Sequence, residues 1–535
     1  MAEAPPIPTA PAHPLRRLMR RLPALRRALA AALPYLQPLL RWLEAPRYDR
    51  WFARWQASGA ADDAAIAALV GAAAPIRVIL PPGASAARAS LAAQIAVPWT
   101  EAPLAQGLVL RVAPGDRLVR HALAELALAA RASPRPLVIY ADEDSPDHGP
   151  WIKPAFDPDL LRQQPAFGRA VAYDAGLLLR HGLATLEGHA LMCAAAGAAV
   201  GEAGVAAIHH IPAILLHRAA AAHPPWREAG GAPPSRLPMP LPPALPPVTI
   251  IVPTRNATAL VEACIEGLLN RTDYAPLEVL ICDNDSTEAG LLRRFADWAR
   301  DPRIRILPCP GPFNFAAINN RAAQEALGEI LVFLNNDTEI RHADWLREMV
   351  GHAMRPEIGA VGAKLLFPNG RVQHAGIVLG LGGVAGYDMV QARGDDPGPQ
   401  DVLCVTRSVS AVTAACMAVR RAAFLDVGGF DEQALRVAYN DVDLCLKLRG
   451  RGLRNLITPH AVLLHKESAT RGDDRSPEHA ARFAQEQATM RARWGDALLD
   501  DPCYSPLYAL GALPRVLAEP PRRLAPWRRL SRLSA

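Results

Sequence analysis

The chain has 535 residues, of which 50% are hydrophobic and 21% are charged. This composition is too apolar for a disordered chain and too charged for a protein with many membrane spans, and the length predicts two to four globular domains. The net charge of +6 is uneven: residues 1–50 carry +6, residues 511–535 carry +5, and the body therefore carries 6 − 6 − 5 = −5. No basic segment is interleaved with aromatic residues, so we expect no nucleic acid partner.

The arginine-rich segment 1–50 precedes the predicted domains. Its apolar stretch Ala28–Leu40 contains two prolines, is shorter than the roughly 20 residues that cross a bilayer, and is followed by no signal-peptide cleavage site. Two interpretations of Leu15–Trp42 stay open: contact with an anionic membrane, or an ordinary basic tail or helical hairpin. The eight cysteines form no C-x-x-C pair, so we expect reduced thiols and a cytoplasmic location, peripheral on the inner face of the membrane under the first interpretation.

A proline-rich stretch, residues 224–247, divides the chain and predicts a semi-rigid linker. We expect one domain over residues 51–223, a second over residues 248–500, and a basic tail over residues 501–535.

The second domain alternates predicted strands and helices. Strands are predicted over 248–256, 277–285, 304–307 and 329–337, with helices over 259–270 and 316–327. This alternation predicts a doubly wound α/β sheet. Because ligands bind beyond the carboxyl ends of such strands, we expect a site at Thr254, Asp283, Asp285 and Asn335–Asp337.

The first domain contains a weak copy of parts of the second. GLVLRVAPGDRLVRHA at 107–122 aligns without gaps with GEILVFLNNDTEIRHA at 328–343. HHIPAILLH at 209–217 resembles ITPHAVLLH at 457–465. Chance could produce either match alone, but their common order in the two halves predicts a duplication.

Residues 248–470 contain several motifs in one order: IIVPTRN, ICDNDS, FNFAAINNRAA, GEILVFLNNDTEI, AVGAKLLFPNGRVQHAG, FLDVGGFDE and YNDVDLCLKLR. In these motifs the segment resembles family 2 glycosyltransferases of the bacterial surface-polysaccharide type. The resemblance implies a GT-A fold, with a doubly wound, mostly parallel sheet, in tandem with a degenerate GT-A-like domain. It also implies an inverting enzyme that moves a sugar from a nucleotide-diphosphate sugar to a saccharide or lipid-linked acceptor. The alternative is a noncatalytic scaffold that binds polysaccharide-assembly partners.

The resemblance implies a divalent cation, Mg²⁺ or Mn²⁺, that neutralises the diphosphate leaving group. NND then corresponds to the family's D-x-D motif, with Asn335 in place of the first acid and Asp337 as the main ligand. His465 matches a histidine that completes metal or diphosphate binding in such enzymes. Taken alone, a strand-end aspartate is more often a helix N-cap, and a histidine after an apolar run is more often a packed one.

The remaining predicted site residues concern the donor and the acceptor. Asp283 matches an acid that contacts the base or ribose, and Thr254 and Arg255 would line the same nucleotide pocket. Asp285 replaces the glycine usual in that turn, and an ordinary Asx turn is the alternative here. The predicted substrate-binding set further contains Asn320, Asn336, His374 and Asp443.

A carboxylate within hydrogen-bond reach must take the proton of the acceptor hydroxyl. In YNDVDLCLKLR the family's Glu-Asp pair reads Asn440-Asp441, so the resemblance assigns the general base to Asp441. Asp443 is the second choice and is more often a supporting residue at a helix start. A glycine-rich stretch at 376–386, flanked by His374, predicts a mobile loop on the acceptor side.

The first domain resembles a decayed copy of the same fold. Pro114 stands where Asn335 stands in the second domain, the acids of the base motif are absent, and the acidic run Asp142–Asp144 is expected in a solvated loop. We therefore predict a noncatalytic domain that supports or orients the second. Residues 498–523 resemble the tail that follows these domains in related chains and are expected to pack on the catalytic domain and then fray.

Overall fold

The computed structural model describes residues 47–227, 233–234, 236–237, 239, 241–466, 479–511 and 513–533. The stretch Leu15–Trp42, with its two interpretations, lies outside these residues. Within them, no helix combines the length and the apolar character needed to cross a membrane.

The first half of the chain alternates short helices and strands. Its helices are α1 (Tyr48–Trp55), α2 (Asp63–Val70), α3 (Ser85–Ala92), α4 (Ala122–Ala129), α5 (Pro158–Gln163), α6 (Ala175–Arg180) and α7 (Gly188–Ala203). Its strands are β1 (Ile76–Ile79), β2 (Trp99–Thr100), β3 (Leu108–Arg111), β4 (Arg117–Leu118), β5 (Val138–Ser145), β6 (Gly149–Trp151), β7 (Val171–Asp174) and β8 (Ile208–His217).

These strands form one mixed sheet in the order β2-β1-β3-β7-β5-β8-β4, with β6 paired to β5. β1 is parallel to β2 and β3, and β5 is parallel to β8, whereas β7 and β4 run antiparallel to their neighbours. One buried cluster contains Leu110 and Leu123, and another contains Tyr140 and Phe167. Both faces of the sheet are therefore covered, as expected for an α/β fold.

The second half has the same alternation on a larger scale. Its helices are α8 (Thr258–Asn270), α9 (Ala289–Trp298), α10 (Phe315–Glu325), α11 (Trp345–Ala353), α12 (Arg421–Asp426), α13 (Asn440–Gly450) and α14 (Ala480–Trp494), and α15 (Pro526–Leu533) follows in the C-terminal part. Its strands are β9 (Val248–Thr254), β10 (Leu277–Asp283), β11 (Ile304–Pro308), β12 (Ile330–Leu334), β13 (Thr338–Ile340), β14 (Ile358–Leu366), β15 (Val372–His374), β16 (Ile377–Leu379), β17 (Ala385–Tyr387), β18 (Arg407–Val409), β19 (Cys416–Arg420) and β20 (Arg454–His465).

The second sheet has the order β11-β10-β9-β12-β19-β14-β20-β13. Strands β11, β10, β9 and β12 are parallel to one another, and the apolar runs of β9 and β12 are buried on both faces. Phe333 and Leu444 belong to the core on one face, and Ile250 and Trp345 to the core on the other. The predicted α/β class is confirmed, and the four predicted strands are observed as β9, β10, β11 and β12.

The two sheets share one plan. Seven strands of the first sheet have the order β2-β1-β3-β7-β5-β8-β4, and seven strands of the second have the order β10-β9-β12-β19-β14-β20-β13. Strands at the same place in the two orders correspond. Each pair of neighbours is parallel or antiparallel in both sheets alike. The hairpin strands β6 and β15 also match, each antiparallel to its partner. The two sequence echoes fall on matching strands, β3–β4 with β12–β13 and β8 with β20. This agreement supports the predicted duplication.

The acidic run Asp142–Asp144 is buried, and the expectation of a solvated loop is wrong. The three carboxylates lie on β5, whose residues are all buried, and β8 and β6 pair with this part of β5. Each carboxylate has partners that offset its removal from water. These partners are His210 for Asp142, Lys153 and Arg218 for Glu143, and His217 and Tyr48 for Asp144.

The C-terminal segment, defined as residues 501–533, contacts both halves of the chain. We expected it to pack on the second half and then fray, and the second part of this expectation is wrong. Asp501 accepts a 2.5 Å hydrogen bond from the Ser410 hydroxyl in the second half. Further along, Arg523 forms a 2.7 Å ion pair with Glu125 on α4 of the first half.

The core of the first half includes residues of this segment. Trp51 on α1 is 1% exposed, and its indole N–H donates a 2.7 Å hydrogen bond to the Ala518 carbonyl. Ala525 and Trp527 are buried in the same cluster as the α2 and α4 side chains. The segment returns because apolar surface of the first half would otherwise face water.

We expect Trp51→Ala to lower the thermal unfolding midpoint, because it removes a buried indole and leaves the Ala518 carbonyl without its donor. Truncations of this kind cost roughly 3–5 kcal/mol. Differential scanning calorimetry would measure the loss. Leu179→Ala, at a side chain that is 60% exposed, is the control and should change stability by about 0.5 kcal/mol or less. An unchanged midpoint for Trp51→Ala would show that this contact does not hold the segment.

Candidate active site

The carboxyl ends of β9, β10 and β12 meet at one edge of the second sheet. Thr254 is opposite Asp283 in the parallel register of β9 and β10, and Asn336 follows β12. The Asn336 amide donates a 3.4 Å hydrogen bond to the Thr254 hydroxyl, and both side chains are buried. The Asp283 carboxylate is partly exposed and accepts the Ser286 N–H at 3.0 Å, while Arg255 is exposed. The structure thus brings the predicted nucleotide-pocket residues to one edge.

Asp285 fixes a loop beside this edge. Its φ of 58° lies in the left-handed region that glycine favours, so the aspartate adopts the turn that the resemblance assigns to a glycine. Its carboxylate accepts the Gly311 N–H at 2.8 Å, and the neighbouring Asn284 amide donates to the carbonyls of Cys309 and Gly311. These bonds give Asp285 a positioning role, and its contact with substrate stays a prediction.

Asp337 and His465 meet just beyond the end of β12. Strand β13 pairs antiparallel with the end of β20, with Thr338 opposite His465. This register places His465 Nε2 3.1 Å from Asp337 Oδ1, and both side chains are buried. Asn335 Nδ2 lies 3.2 Å from the same histidine nitrogen. The three residues predicted as metal ligands are therefore adjacent.

The hydrogen bonds of His465 indicate which of its nitrogens carries the proton. Gln373 Oε1 lies 2.6 Å from His465 Nδ1, and an amide oxygen only accepts, so Nδ1 donates and Nε2 is the nitrogen that faces Asp337 and the Asn335 amide. Asp337 Oδ1 is buried and accepts no hydrogen bond from the described residues. Two electron-rich atoms this close are stabilised by a cation, and ligands bonded at about 2.1 Å and at a right angle to one ion are about 3.0 Å apart.

The donor set fits a divalent cation. A carboxylate oxygen and an imidazole nitrogen both bind such ions, and Gln373 orients the imidazole as hydrogen-bonded neighbours of metal ligands commonly do. Within the described ranges, no group of three or more His, Cys, Asp or Glu side chains is arranged for a metal. The chain would therefore supply part of the coordination shell, as in Mg²⁺ sites that substrate phosphates and water complete.

Asp441 lies in the first turn of α13. Its Oδ2 accepts the Ala414 N–H at 3.1 Å, its Oδ1 accepts the Val442 N–H at 2.8 Å, and the Thr413 hydroxyl also donates to the carboxylate. Burial raises the pKa of Asp441 above its usual value, and the three hydrogen bonds oppose that rise. A raised pKa suits a carboxylate that must accept a proton during a reaction.

The pairing of β12 with β19 connects Asp441 to the metal-binding pair. The two strands run antiparallel, and just beyond them the Asn335 N–H donates a 3.0 Å hydrogen bond to the Ala415 carbonyl. Ala415 follows Ala414, whose N–H binds Asp441. The predicted metal ligands and the predicted base therefore border the same strand end.

This second half matches a known family. A family model described as glycosyl transferase family 2 matches residues 249–428, which include β9, β10, β12 and Asn335–Asp337. The second half of the chain therefore contains a glycosyl transferase family 2 region. Asp441 lies outside the matched residues, and its role rests on the geometry and on its motif.

Two curated relatives extend the match. The O-antigen biosynthesis protein RfbC of Myxococcus xanthus is 37% identical over 436 residues, which are 74% of this chain and 33% of that protein. An uncharacterized protein of Sinorhizobium fredii, y4gI, is 45% identical over 276 residues, 51% of this chain and 30% of that protein. The chain thus spans about a third of the length of these two relatives. Among solved structures, the mannosyltransferase PcManGT of Pyrobaculum calidifontis, in complex with GDP-Man and Mn²⁺, aligns with a TM-score of 0.35 at 23% identity over 49% of this chain and 66% of that one.

Two predicted substrate-binding residues have their polar atoms bound inside the second half. The Asn320 amide donates to the Phe430 carbonyl and accepts the Phe430 N–H, both at 2.9 Å. His374 is fully buried, with Nδ1 3.1 Å from the Ala363 carbonyl and Nε2 accepting the Thr413 N–H. Burial lowers the pKa of His374 to about 4, so the ring is neutral near pH 7. Both residues hold loops, and direct substrate contact stays a prediction for each.

Asp443 has the supporting role that its position at a helix start suggests. Its carboxylate is fully buried and accepts hydrogen bonds from Arg493 at 2.8 Å and from the Trp494 indole at 3.0 Å. Asn440, the replacement for the family's glutamate, donates its amide to the Val437 carbonyl. Asp443 therefore joins α13 to α14, which favours Asp441 as the base of the two.

The first half has a different arrangement at the matching position. Asp116, which aligns with Asp337, is fully buried and accepts hydrogen bonds from Arg169 at 3.1 Å and from the Ala219 N–H at 3.0 Å. A guanidinium thus compensates this carboxylate, and His217, the counterpart of the histidine on β20, bonds an acid of β5. The charges are satisfied within the chain, which fits the predicted noncatalytic role.

Gln373 and the hydrogen-bond donors to Asp441 were not predicted from the sequence. His374 was predicted instead, but adjacent residues of a strand point to opposite sides, and it is Gln373 that meets His465. The alternation in β15 would have allowed only one of the two to face the site. No local signal marks Thr413, because its contact with Asp441 joins residues 28 positions apart (441 − 413).

We expect Asp337→Asn to weaken Mn²⁺ binding by about 10-fold or more, because the main anionic ligand is lost. Gln373→Leu should weaken it by about 10- to 100-fold, since the His465 imidazole would lose its orienting acceptor. Electron paramagnetic resonance titration of Mn²⁺ with the full chain would measure both. Asp116→Asn, at the matching position of the first half, is the control and should bind Mn²⁺ like the wild type. Equal affinity of all four proteins would contradict the assigned metal site.

Proposed function

We propose that the chain is a metal-dependent inverting glycosyltransferase. It would move a sugar from a nucleoside-diphosphate sugar to a saccharide or lipid-linked acceptor in cell-surface polysaccharide synthesis. The observation that carries the proposal is the 3.1 Å approach of Asp337 Oδ1 to His465 Nε2, bordering the same strand end as the partly buried Asp441. The glycosyl transferase family 2 region and the similarity to an O-antigen biosynthesis protein support the substrate class.

Asp337 and His465 would hold the divalent cation, which stabilises the negative charge that develops on the departing diphosphate. The chain's own contribution is to keep both ligands in place before substrate arrives. Gln373 fixes the imidazole ring, and the β13–β20 pairing fixes the separation of the two ligand atoms. A preorganised site of this kind needs little rearrangement during the reaction.

Asp441 would accept the proton of the acceptor hydroxyl as that oxygen attacks the anomeric carbon. The new carbon–oxygen bond forms opposite the departing diphosphate, so the configuration inverts. The hydrogen bonds from Ala414 and Thr413 hold the carboxylate in one orientation. This fixed orientation matters because a base must lie within hydrogen-bond reach of the proton that it removes.

The nucleotide would bind at the β9–β10 edge. Thr254, Asp283 and Asn336 line this edge, and the Asp283 carboxylate would accept hydrogen bonds from the hydroxyl groups of a ribose. Asp285 and Asn284 hold the 309–311 loop next to it. These contacts support a nucleotide site without distinguishing one base from another.

The alternative of a noncatalytic scaffold fits the first half better than the second. There the matching carboxylate is neutralised by Arg169, whereas Asp337 Oδ1 in the second half accepts no hydrogen bond from the described residues. Release of a nucleoside diphosphate by the full chain, in the presence of metal and any sugar nucleotide, would exclude the scaffold for the chain as a whole.

A peripheral contact with anionic membrane would bring the enzyme to lipid-linked acceptors. Arginines of the C-terminal segment give this idea little support, because four of them bind other parts of the chain: Arg515, Arg522, Arg523 and Arg528. The proposal therefore rests on the basic segment 1–50, of which residues 1–46 lie outside the described ranges.

We expect Asp441→Asn to lower sugar transfer by roughly 10²- to 10⁴-fold and leave nucleotide binding nearly intact, because the amide cannot accept the hydroxyl proton. Nucleoside diphosphate release across a panel of UDP-, GDP- and dTDP-sugars with Mg²⁺ or Mn²⁺ identifies the donor and serves as the assay. Asp443→Asn is the matched comparison: it should lower the thermal midpoint, since the residue joins two helices. Transfer by Asp441→Asn at the wild-type rate would reject the assigned base.

The pH profile should show the raised pKa of Asp441. The base works only when ionised, so kcat/KM is expected to fall as the pH falls through this pKa, at a pH above the usual aspartate range near 3.9. In the wild type the Thr413 hydroxyl hydrogen bond stabilises the ionised Asp441 carboxylate and lowers its pKa. Thr413→Val removes this bond, so the pKa should rise and the acid limb should move to higher pH. Initial rates between pH 4 and 8 at saturating metal measure both proteins. A Thr413→Val limb at the same or a lower pH would contradict the assignment.

A further inference from the structure

One short helix of the first half forms hydrogen bonds with the backbone of the second half. Helix α5 carries Asp157 at its N-cap and Gln163 at its last position, and both side chains are buried. Each bonds the backbone of the second half. Hydrogen bonds to backbone groups fix the position of a strand, because a backbone N–H or C=O cannot rotate independently of the chain as a side chain can.

The Gln163 amide acts as a two-point clamp on Thr406. Its Nε2 donates to the Thr406 carbonyl at 2.6 Å, and its Oε1 accepts the Thr406 N–H at 3.1 Å. Two residues later, Asp157 Oδ2 accepts the Ser408 N–H at 2.6 Å. Three hydrogen bonds from the first half thus hold the beginning of β18, at buried positions where lost bonds are costly.

The clamped strand leads directly to the base. We name residues 406–415 the linking segment. Its middle is held at Ser410, whose carbonyl accepts the Asn455 amide and whose hydroxyl donates to Asp501. Its end carries Ala414, whose N–H binds Asp441. The six residue steps from Ser408 to Ala414 span at most about 20 Å, at about 3.3 Å per step.

The same end of the segment also touches the metal side. The Ala415 carbonyl accepts the Asn335 N–H, and the Thr413 N–H donates to buried His374. The linking segment is therefore bonded to the first half at one end and to both sides of the candidate site at the other. The segment is thus a contiguous chain of contacts of the kind through which energetic coupling can travel.

We propose that the first half positions the general base of the second half through the linking segment, with Gln163 and Asp157 as positioning residues. This inference rests on the proposed function, and it gives the first half a specific role. The first half would hold residues 406–415 so that Ala414 and Thr413 fix the Asp441 carboxylate. Neither positioning residue contacts Asp441 in the described structure. Both act on the base through the backbone between them.

Gln163→Met tests the clamp, because methionine keeps the length of the side chain and loses both hydrogen bonds. Asp157→Asn tests the second contact. Its Oδ1 can still accept the Asp159 N–H and cap α5. The new amide NH₂ would face the Ser408 N–H, and two donors cannot form a hydrogen bond, so this contact is lost. Each variant of the full chain should lower kcat for transfer by roughly 10- to 100-fold, since small misplacements of a catalytic group have effects of this size. The donor KM and the dissociation constant for nucleoside diphosphate should stay within about twofold of wild type, because Asp337 and His465 are not displaced.

Arg355→Met is the matched control. Arg355 also joins the two halves, through a 2.8 Å ion pair with Asp159, but it does not bond the linking segment in the described contacts. Asp159 keeps Arg454 as a partner at 2.9 Å after this change. The control should retain wild-type kcat, which separates positioning of the base from docking of the two halves in general.

A double variant supplies the decisive comparison. If Gln163 acts through the base, adding Gln163→Met to Asp441→Asn should cause no further loss of residual turnover, since the two changes affect one step. Any of three results would overturn the inference. The first is a wild-type kcat in both positioning variants, and the second is a loss of kcat in Arg355→Met as large as theirs. The third is an additive loss in the double variant. If one variant does not fold, by circular dichroism and thermal midpoint, the other decides. Absence of transfer by the wild type with every donor would instead reject the proposed function, so the two failures are distinguishable.

Discussion

The antiparallel pairing of β12 with β19 is the constraint on which the candidate site depends. It sets Asn335 against Ala415, and so brings the strand end that carries Asp337 next to the loop that binds Asp441. A shift of one residue in this register would reverse the faces of both strands, because strand side chains alternate. The buried side chains of β12 and β19 make such a shift costly. The core of the sheet therefore specifies the spacing of groups that lie beyond its edge.

The two halves show how one scaffold accepts two solutions to the same electrostatic problem. Each has a buried aspartate beyond matching strands, β3 in the first half and β12 in the second, and a buried carboxylate requires a compensating charge. In the first half Arg169 and the Ala219 N–H satisfy Asp116 permanently. In the second half Asp337 faces His465 Nε2, and compensation must come from a proton or a bound cation. The difference between a structural acid and a ligand is thus a matter of one neighbouring side chain.

The four parallel strands β9 to β12 of the second sheet were predictable from the sequence, because each is a short apolar run followed by a polar turn. The polar residues at strand ends were also identified, since parallel strands end at a common edge. Contacts between distant parts of the chain were not predictable in the same way. Gln373, Gln163 and the burial of Asp142–Asp144 depend on partners far away along the chain, and no local pattern identifies those partners. The acidic run was misassigned because local charge suggested solvent, whereas the surrounding strands supply its counter-charges.

The contact of Trp51 with Ala518 joins residues separated by 467 positions. The first half is made early during synthesis, yet Ala525 and Trp527 complete its core. At synthesis rates of about 5–20 residues per second, these last residues emerge roughly 25–95 seconds after Trp51. Until then the exposed apolar faces around α1, α2 and α4 have no permanent cover. The first half therefore cannot reach its final packing until the second half has been made.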